Sequence, residues 1–296
     1  MYGIKDILKY ISNHPLAKHN LVKAYWRFFS WQFSQRLFPR TIAYQLTEHS
    51  KIWVKKGMTG ATGSIYTGLH EFEDMAFLLH FLRKESLFAD IGANVGIFSV
   101  LATAECGART LSFEPAPNTY QWVEKNRTLN GVEALQKCFN IGVGAKEETV
   151  QFSTDLDTIN HVVQESETGV KSVTVQIRPF DSIAAEEGIP ELVKIDVEGF
   201  EMPVIQGMQQ TLSNPQLQAI IIELNGSGTH YGFDEKSIHE NLQSHGFSPY
   251  QYEPFTRSLK AVTHWGTHNT IYIKDIALVS KRVKEAKKIT VFGVPF

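Results

Sequence analysis

The run Asp90-Ile91-Gly92-Ala93-Asn94-Val95-Gly96, with Glu114 eighteen positions beyond its last glycine, constrains this chain more than any other feature. It reads as a buried strand, a tight turn poor in side chains, a helix, and a second strand, Leu111-Ser112-Phe113, that ends in a carboxylate. Glycines in such a turn let backbone approach a ligand closely, and an acid at the neighbouring strand tip accepts both hydroxyls of a ribose. The pattern predicts a nucleoside site.

A dinucleotide fingerprint places glycines at the first, third and sixth positions of the turn so that a pyrophosphate rests on the helix N-terminus. Here those positions hold Gly92, Asn94 and Ile97. Asn94 puts a side chain where a pyrophosphate needs bare backbone, and Ile97 a branched one where helix and strand must approach. NAD and FAD are disfavoured. Asp90 repels phosphate too, but suits a ligand carrying an ammonium and a sulfonium, which describes S-adenosylmethionine.

A second constellation is Leu192-Val193-Lys194-Ile195-Asp196-Val197-Glu198-Gly199-Phe200-Glu201. Leu192, Val193 and Ile195 read as a buried strand, with Asp196 at its C-terminal end, where open α/β sheets bind ligands. Three carboxylates in six residues are costly to crowd unless something cationic or proton-demanding lies beside them. A solvated helix start with acids at its N-terminus accounts for Glu201 and leaves Asp196 unexplained.

Together these runs resemble the FkbM family of S-adenosylmethionine-dependent methyltransferases. The matching elements are DIGANVG at 90–96, FEPAP at 113–117, Asn126 and Asn130, LVKIDVEGFE at 192–201, IIIELNGSG at 220–228, and the upstream stretch from Gly60 to Met75. The resemblance spans roughly residues 55–275 and implies an O-methyltransferase of Rossmann-like fold acting on a hydroxyl of a sugar or glycosylated natural product. It implies S-adenosylmethionine as cofactor, with Tyr66, Thr67 and Glu71 closing over the methionine tail. Runner-up readings are a non-catalytic nucleoside-binding protein of the same fold and a nicotinamide-dependent oxidoreductase.

For the cofactor, Gly92, Asn94 and Gly96 are assigned to the methionine and ribose end, Asp90 to the turn or the ammonium, and Glu114 to the ribose hydroxyls. Asn140 and Gly142, at the end of the third strand, are expected near the adenine. Asp196, Glu198 and His161 are the candidate general bases, an unperturbed histidine titrating near pH 6.5. Glu223, Asn225, His230 and Tyr231 are placed at the substrate mouth. The main reading needs no metal; its alternative is a divalent cation on the hard oxygens of Asp196, Glu223 and Asn225.

From residue 85 the chain alternates strand and helix as in a doubly wound α/β sheet. Strands are expected near 87–91, 109–114, 137–143, 192–196 and 218–224, with a closing antiparallel pair near 247–253 and 269–274. Helices should follow the first, second, fourth and fifth. Period-two alternation in Thr149-Val150-Gln151-Phe152 and in Val173-Thr174-Val175-Gln176-Ile177 predicts an inserted hairpin within 148–177. The expected organisation is a basic helical extension over 1–60, a methyltransferase domain over 61–275, and a C-terminal helix from Ile276 to Lys288 with an unassigned tail.

Charge divides the chain unevenly. Residues 1–60 hold ten Lys or Arg against Asp6 and Glu48, whereas the remainder holds nineteen basic against twenty-nine acidic residues. Within the arm, residues 21–33 form an aromatic-rich helix that either lies on an anionic membrane or packs on the acidic domain as a lid or dimer contact. It lacks the dense Lys/Arg run of a nucleic-acid binder. Two cysteines, Cys106 and Cys138, each in an apolar segment, suit a reducing, cytoplasmic setting without disulfides. The sequence shows no signal peptide and no membrane span, so the sequons at Asn126 and Asn225 are read as chance.

Overall fold

Strands covered on both faces must be apolar at every position, and the runs Leu87–Ile91 and Ala219–Glu223 satisfy this almost throughout. In the computed structural model, which describes residues 3–153, 161–163, 167, 169–266 and 269–296, they form the middle of an eight-stranded sheet. The strands are β1 (Leu87–Ile91), β2 (Arg109–Phe113), β3 (Gln136–Phe139), β4 (Leu192–Ile195), β5 (Ala219–Glu223), β6 (Ser248–Glu253), β7 (Ser258–Ala261) and β8 (Asn269–Ile273). Their spatial order is β7-β6-β8-β5-β4-β1-β2-β3. Strands β1 to β5 run parallel, and β8 lies antiparallel to β5 and β6. The order reverses between β1 and β4, so the crevice at their C-terminal ends is the topological switch point. The fold is thus a Rossmann-like, mostly parallel α/β sheet closed by antiparallel strands.

Alternation along the strands divides the core into two layers. Leu87, Ala89, Ile91, Val193 and Ile195 face the helices Phe180–Glu187, Glu201–Gln206 and Glu235–Ser244. Phe88, Leu192, Ile221 and Ile271 face the helix Phe72–Phe81, the N-terminal helices and the C-terminal helix Ile276–Glu285. Asp90 and Lys194, neighbours in the β1–β4 register, fall on this second face. Two charged groups therefore enter this layer, where Ser99, Ser112 and Gln136 continue the polar chain from Asp90.

The elements differ from the sequence expectation in four places. The third strand stops at Phe139; Gly142–Val143 joins a separate three-stranded sheet with Glu148–Ser153 and Ser172–Arg178. Asn140 marks the break, its amide donating to the carbonyls of Glu114 and Pro115. The arm over 1–60 is not wholly helical: Ile42–Gln45 and Lys51–Val54 form a hairpin. Asn126 and Asn130 bind it, Asn126 Oδ1 accepting from the Trp53 amide at 2.7 Å and Asn130 Oδ1 from that of Lys51 at 2.8 Å. Strand β7 and the terminal pair Thr290–Val291 with Val294–Pro295 complete the differences.

The aromatic helix is Leu21–Leu37, capped by Asn20, whose side chain accepts from the Lys23 amide. Ala24, Phe28, Trp31 and Gln35 point inward, and the Phe28 ring meets Tyr66 edge-on at 5.1 Å. Half of the aromatic face packs as core; the other half remains exposed. Both cysteines are free thiols.

Candidate active site

A cavity of about 310 Å³ opens at the C-terminal ends of β1 and β4. Its floor is the turn Asp90–Val95, and Glu114, Lys194, Asp196, Glu198 and Glu223 enter from the other strand ends. Met58–Ala61, His70 and Glu71 close one side, while Ile141, Phe152, Val162 and Ile177 supply an apolar wall. Thr158–Asn160, beside His161 in sequence, lie outside the described residues.

Backbone geometry fixes the turn. The amides of Gly92 and Ala93 donate to the Phe113 carbonyl at 3.0 and 2.9 Å, and the Asp196 amide donates to that of Ile91 at 3.0 Å. Gly92 has φ 82°, and a Cβ there would lie 1.8 Å from the Asp196 carbonyl oxygen. Glycine is required at 92 by the neighbouring strand itself. Asn94 also has a positive φ, 51°, which Asn tolerates better than branched residues. This turns the Asn94 amide onto Glu114 Oε2 at 3.0 Å.

The electrostatics are dominated by buried carboxyls. Burial pushes Glu114 up to about 8, although the amides of Ala116 and Asn94 favour its charged form. Asp90 is raised by burial, while Ser99 gives its Oδ2 an amide and a hydroxyl hydrogen bond at 3.0 and 2.6 Å. Burial, then Asp196 and Glu201, raise Glu198 to about 7; burial, then Asp196 and Glu198, raise Glu223 to about 9. Burial alone would raise Glu71 as well, but His70 at 2.8 Å, Lys194 and Asn269 together hold it at about 2.

Lys194 is the cation at the centre of this group. Its Nζ donates to Asp196 Oδ2 at 2.6 Å and lies 4.7 Å over the Phe98 ring. Burial disfavours its charge, yet Asp196, Glu71 and Asp90 carry its pKa upward. Glu201 is buried rather than solvated, its Oε1 accepting from the amides of Gly199 and Val197 at 3.1 and 3.3 Å. It braces the loop that presents Glu198.

Of the residues singled out by sequence, Asp90, Gly92, Asn94, Glu114, Glu71, Gly142, Asp196, Glu198 and Glu223 line this cavity. Gly96 instead opens the following helix, φ 82°, with Val123 against it. Tyr66 and Thr67 require correction: both are turned to the N-terminal helices. Arg27 donates twice to the Tyr66 carbonyl, Gln32 to its hydroxyl, and the Thr67 hydroxyl donates to the Gly63 carbonyl. Asn140 is likewise spent on backbone carbonyls and does not line the cavity.

Asn225 Oδ1 accepts from the Ser227 amide at 2.9 Å, and Asn225 does not line the cavity. Carboxylate oxygens of Asp196, Glu198 and Glu223 lie within 4.8 Å of one another. His161 and His230 sit outside the cavity lining and both face Glu167, at 3.0 and 3.6 Å. The Tyr231 hydroxyl donates to the carbonyl of Val162, whose side chain lines the wall. Sequence reasoning missed Lys194, His70 and Asn269. Lysine between Val193 and Ile195 in a buried strand was the available signal for the first, and adjacency to Glu71 for the second; Asn269 reaches the site only through a tertiary contact with Glu71.

Among known proteins, the hexuronic acid methyltransferase AglP of Haloferax volcanii is 25% identical over 172 residues, 57% of this chain and 66% of that one. The chain thus spans just under two thirds of that relative's length. The 31-O-demethyl-FK506 methyltransferase FkbM of Streptomyces tacrolimicus is 26% identical over 213 residues, 60% of this chain and 79% of that one. A solved methyltransferase FkbM from Methylobacillus flagellatus KT superimposes with TM-score 0.45 at 15% identity, over 77% of this chain and 56% of that one. Residues 90–249, more than half of the chain, match the methyltransferase FkbM domain, and the chain belongs to that family.

Proposed function

We propose that this protein is an S-adenosylmethionine-dependent O-methyltransferase acting on a hydroxyl of a sugar or of a glycosylated natural product. The observation that carries the reading is the carboxyl-rich lining of the cavity: Asp90, Glu114, Asp196, Glu198, Glu223 and Glu71 face Lys194 and His70, and those that burial keeps protonated ionise beside a cation. Such a lining repels a pyrophosphate and attracts a ligand whose charge is an ammonium and a sulfonium. The donor set fits that group, with the apolar wall available to an adenine and Glu114 to a ribose. Relatives named for a hexuronic acid and for an O-demethylated FK506 support the acceptor class.

When bound, the cofactor supplies an electrophilic methyl group; the protein's task is to position an acceptor oxygen, exclude water and take a proton. Glu114 is assigned to the ribose hydroxyls, its two backbone donors fixing the carboxylate and leaving lone pairs directed to the cavity. Asp90 and Glu71 face the ammonium end. Glu198, with a pKa near neutrality, takes the proton from the acceptor hydroxyl, a role worth about 10² to 10⁴-fold. Glu223, beside Asp196 and Glu198 at the neighbouring strand end, hydrogen-bonds the acceptor. Asp196, held by Lys194, orients rather than accepts. His161, His230 and Tyr231 shape the rim around the entering sugar.

Calorimetry with S-adenosylmethionine and with NADH tests the cofactor: the first should bind and the second should not. Binding of NADH alone would overturn the reading. Methyl transfer to uronic acids and to glycosylated macrolides, followed by mass spectrometry, tests the acceptor.

A further inference from the structure

We propose that the outer face of the helix Leu21–Leu37 is a docking surface for an anionic lipid bilayer. Val22, Trp26, Phe29, Phe33, Leu37 and the following Phe38 are between 54% and 81% exposed. The first five recur at intervals of three and four residues, so they form one stripe along about 25 Å of helix. Their exposure is not relieved by rotating the helix. Phe28 and Trp31 anchor the opposite face in the core, and Arg27 ties it to the Tyr66 carbonyl at 2.8 Å.

Charge distinguishes the occupant. No Asp or Glu occurs between Asp6 and Glu48, and Lys23, Arg36 and Arg40 are exposed along and beside the stripe. A second copy packed along the same stripe would place Arg36 in or beside the seam, and neither helix carries an acid to pair with it. An anionic bilayer satisfies both features: apolar side chains enter the headgroup boundary and the cations meet lipid phosphates. Trp26 is the residue type that favours this depth. The acidic remainder of the chain, nineteen basic against twenty-nine acidic residues, is repelled from the same surface and orients the molecule with its N-terminal side down. No helix among the described residues is long and apolar enough to cross a membrane, so the contact is peripheral.

The test uses the full chain and co-sedimentation with vesicles of phosphatidylcholine alone or mixed with phosphatidylglycerol. Bilayer docking holds or fails independently of the acceptor used at the active site. The protein should bind the mixed vesicles at least tenfold more tightly, lose that advantage at high salt, and show a blue-shifted tryptophan emission that Trp26→Ala removes. The double variant Phe29→Glu, Phe33→Glu should abolish binding while leaving the thermal midpoint and S-adenosylmethionine affinity unchanged. Failure of the wild type to bind mixed vesicles overturns the proposal, as does vesicle binding that survives the double substitution. A dimer in sedimentation velocity that the same substitutions convert to monomer, with no vesicle binding, assigns the stripe to a second copy instead.

Discussion

Lys194 occupies the middle of a strand buried on both faces, and its ammonium answers carboxylates contributed by three different segments. A buried charge of this kind is retained only where its partners are fixed, and removing it leaves them uncompensated. Lys194→Met is expected to lower unfolding free energy by about 3–5 kcal/mol, read from the shift in denaturant midpoint at pH 7. A midpoint unchanged from wild type would show that the acids are neutral without it. Glu198 makes the complementary prediction for rate. A base with pKa about 7 gives activity that rises as pH passes through 7 and levels above it, because only the ionised form accepts a proton. Glu198→Gln should reduce kcat by about 10² to 10⁴-fold with cofactor KM little altered; a kcat within about threefold of wild type would move the base elsewhere. The strand-end acids were legible in the sequence because a carboxylate ending an apolar run has few structural explanations. Tyr66 and Asn140 were not, since each is held by hydrogen bonds to partners that only the folded chain brings near, while Thr67 and Asn225 bond to backbone four and two residues away, which any loop or helix residue of their type can do.

At the scale of elements, the glycine turn illustrates how ligand and scaffold requirements coincide. Gly92 reads from sequence as a residue that lets a ligand approach, yet the nearest obstacle to a side chain there is the backbone of Asp196 at 1.8 Å. A Cβ would push β1 from β4 and displace the loop that carries Asp196 and Glu198. Gly131 has a similar φ, 63°, but nothing within 4 Å of its would-be Cβ. Gly131→Ala should therefore cost only the conformational penalty, about 1 kcal/mol. Gly92→Ala should cost several times more and abolish S-adenosylmethionine binding, as thermal melts and calorimetry on both variants will show. Equal melting losses would deny the steric coupling between the strands. Parallel strands and the helices after them were legible because double burial and periodicity leave a strong trace. The N-terminal hairpin, strand β7 and the Gly142–Val143 pair were not: they are short, partly polar, and defined by what they pair with, as in the grip of Asn126 and Asn130 on Trp53 and Lys51.

Across the whole molecule the buried acids make a single prediction about pH. Burial raises Glu114 to about 8, Glu223 to about 9, and Asp74, Glu198 and Glu201 to about 7. A carboxyl raised in the folded state is favoured in its protonated form, so its contribution is complete below its ordinary pKa and is lost as pH rises through the folded value. His14 and His80 are lowered by burial to about 4, so their neutral form costs stability as pH falls below 6.5. Five raised carboxyls outnumber two lowered histidines, so the ligand-free protein should be most stable near pH 5 and lose stability steadily towards pH 9, where a typical acid-sensitive domain would not. Urea midpoints measured from pH 5 to 9 check the sign, and a midpoint that rises above pH 7 would contradict it. A cationic ligand reverses the condition that raised these groups, since positive charge beside Glu114 and Glu223 favours ionisation. Binding of S-adenosylmethionine at pH 7 should therefore release protons, seen as an apparent enthalpy that differs between phosphate and Tris by an amount proportional to their ionisation enthalpies. Glu114→Gln should reduce the number released. Binding without proton release would mean that the carboxyls are already charged in the empty cavity, and that the field favouring a cation is set by Lys194 and His70 having too little positive charge to balance them.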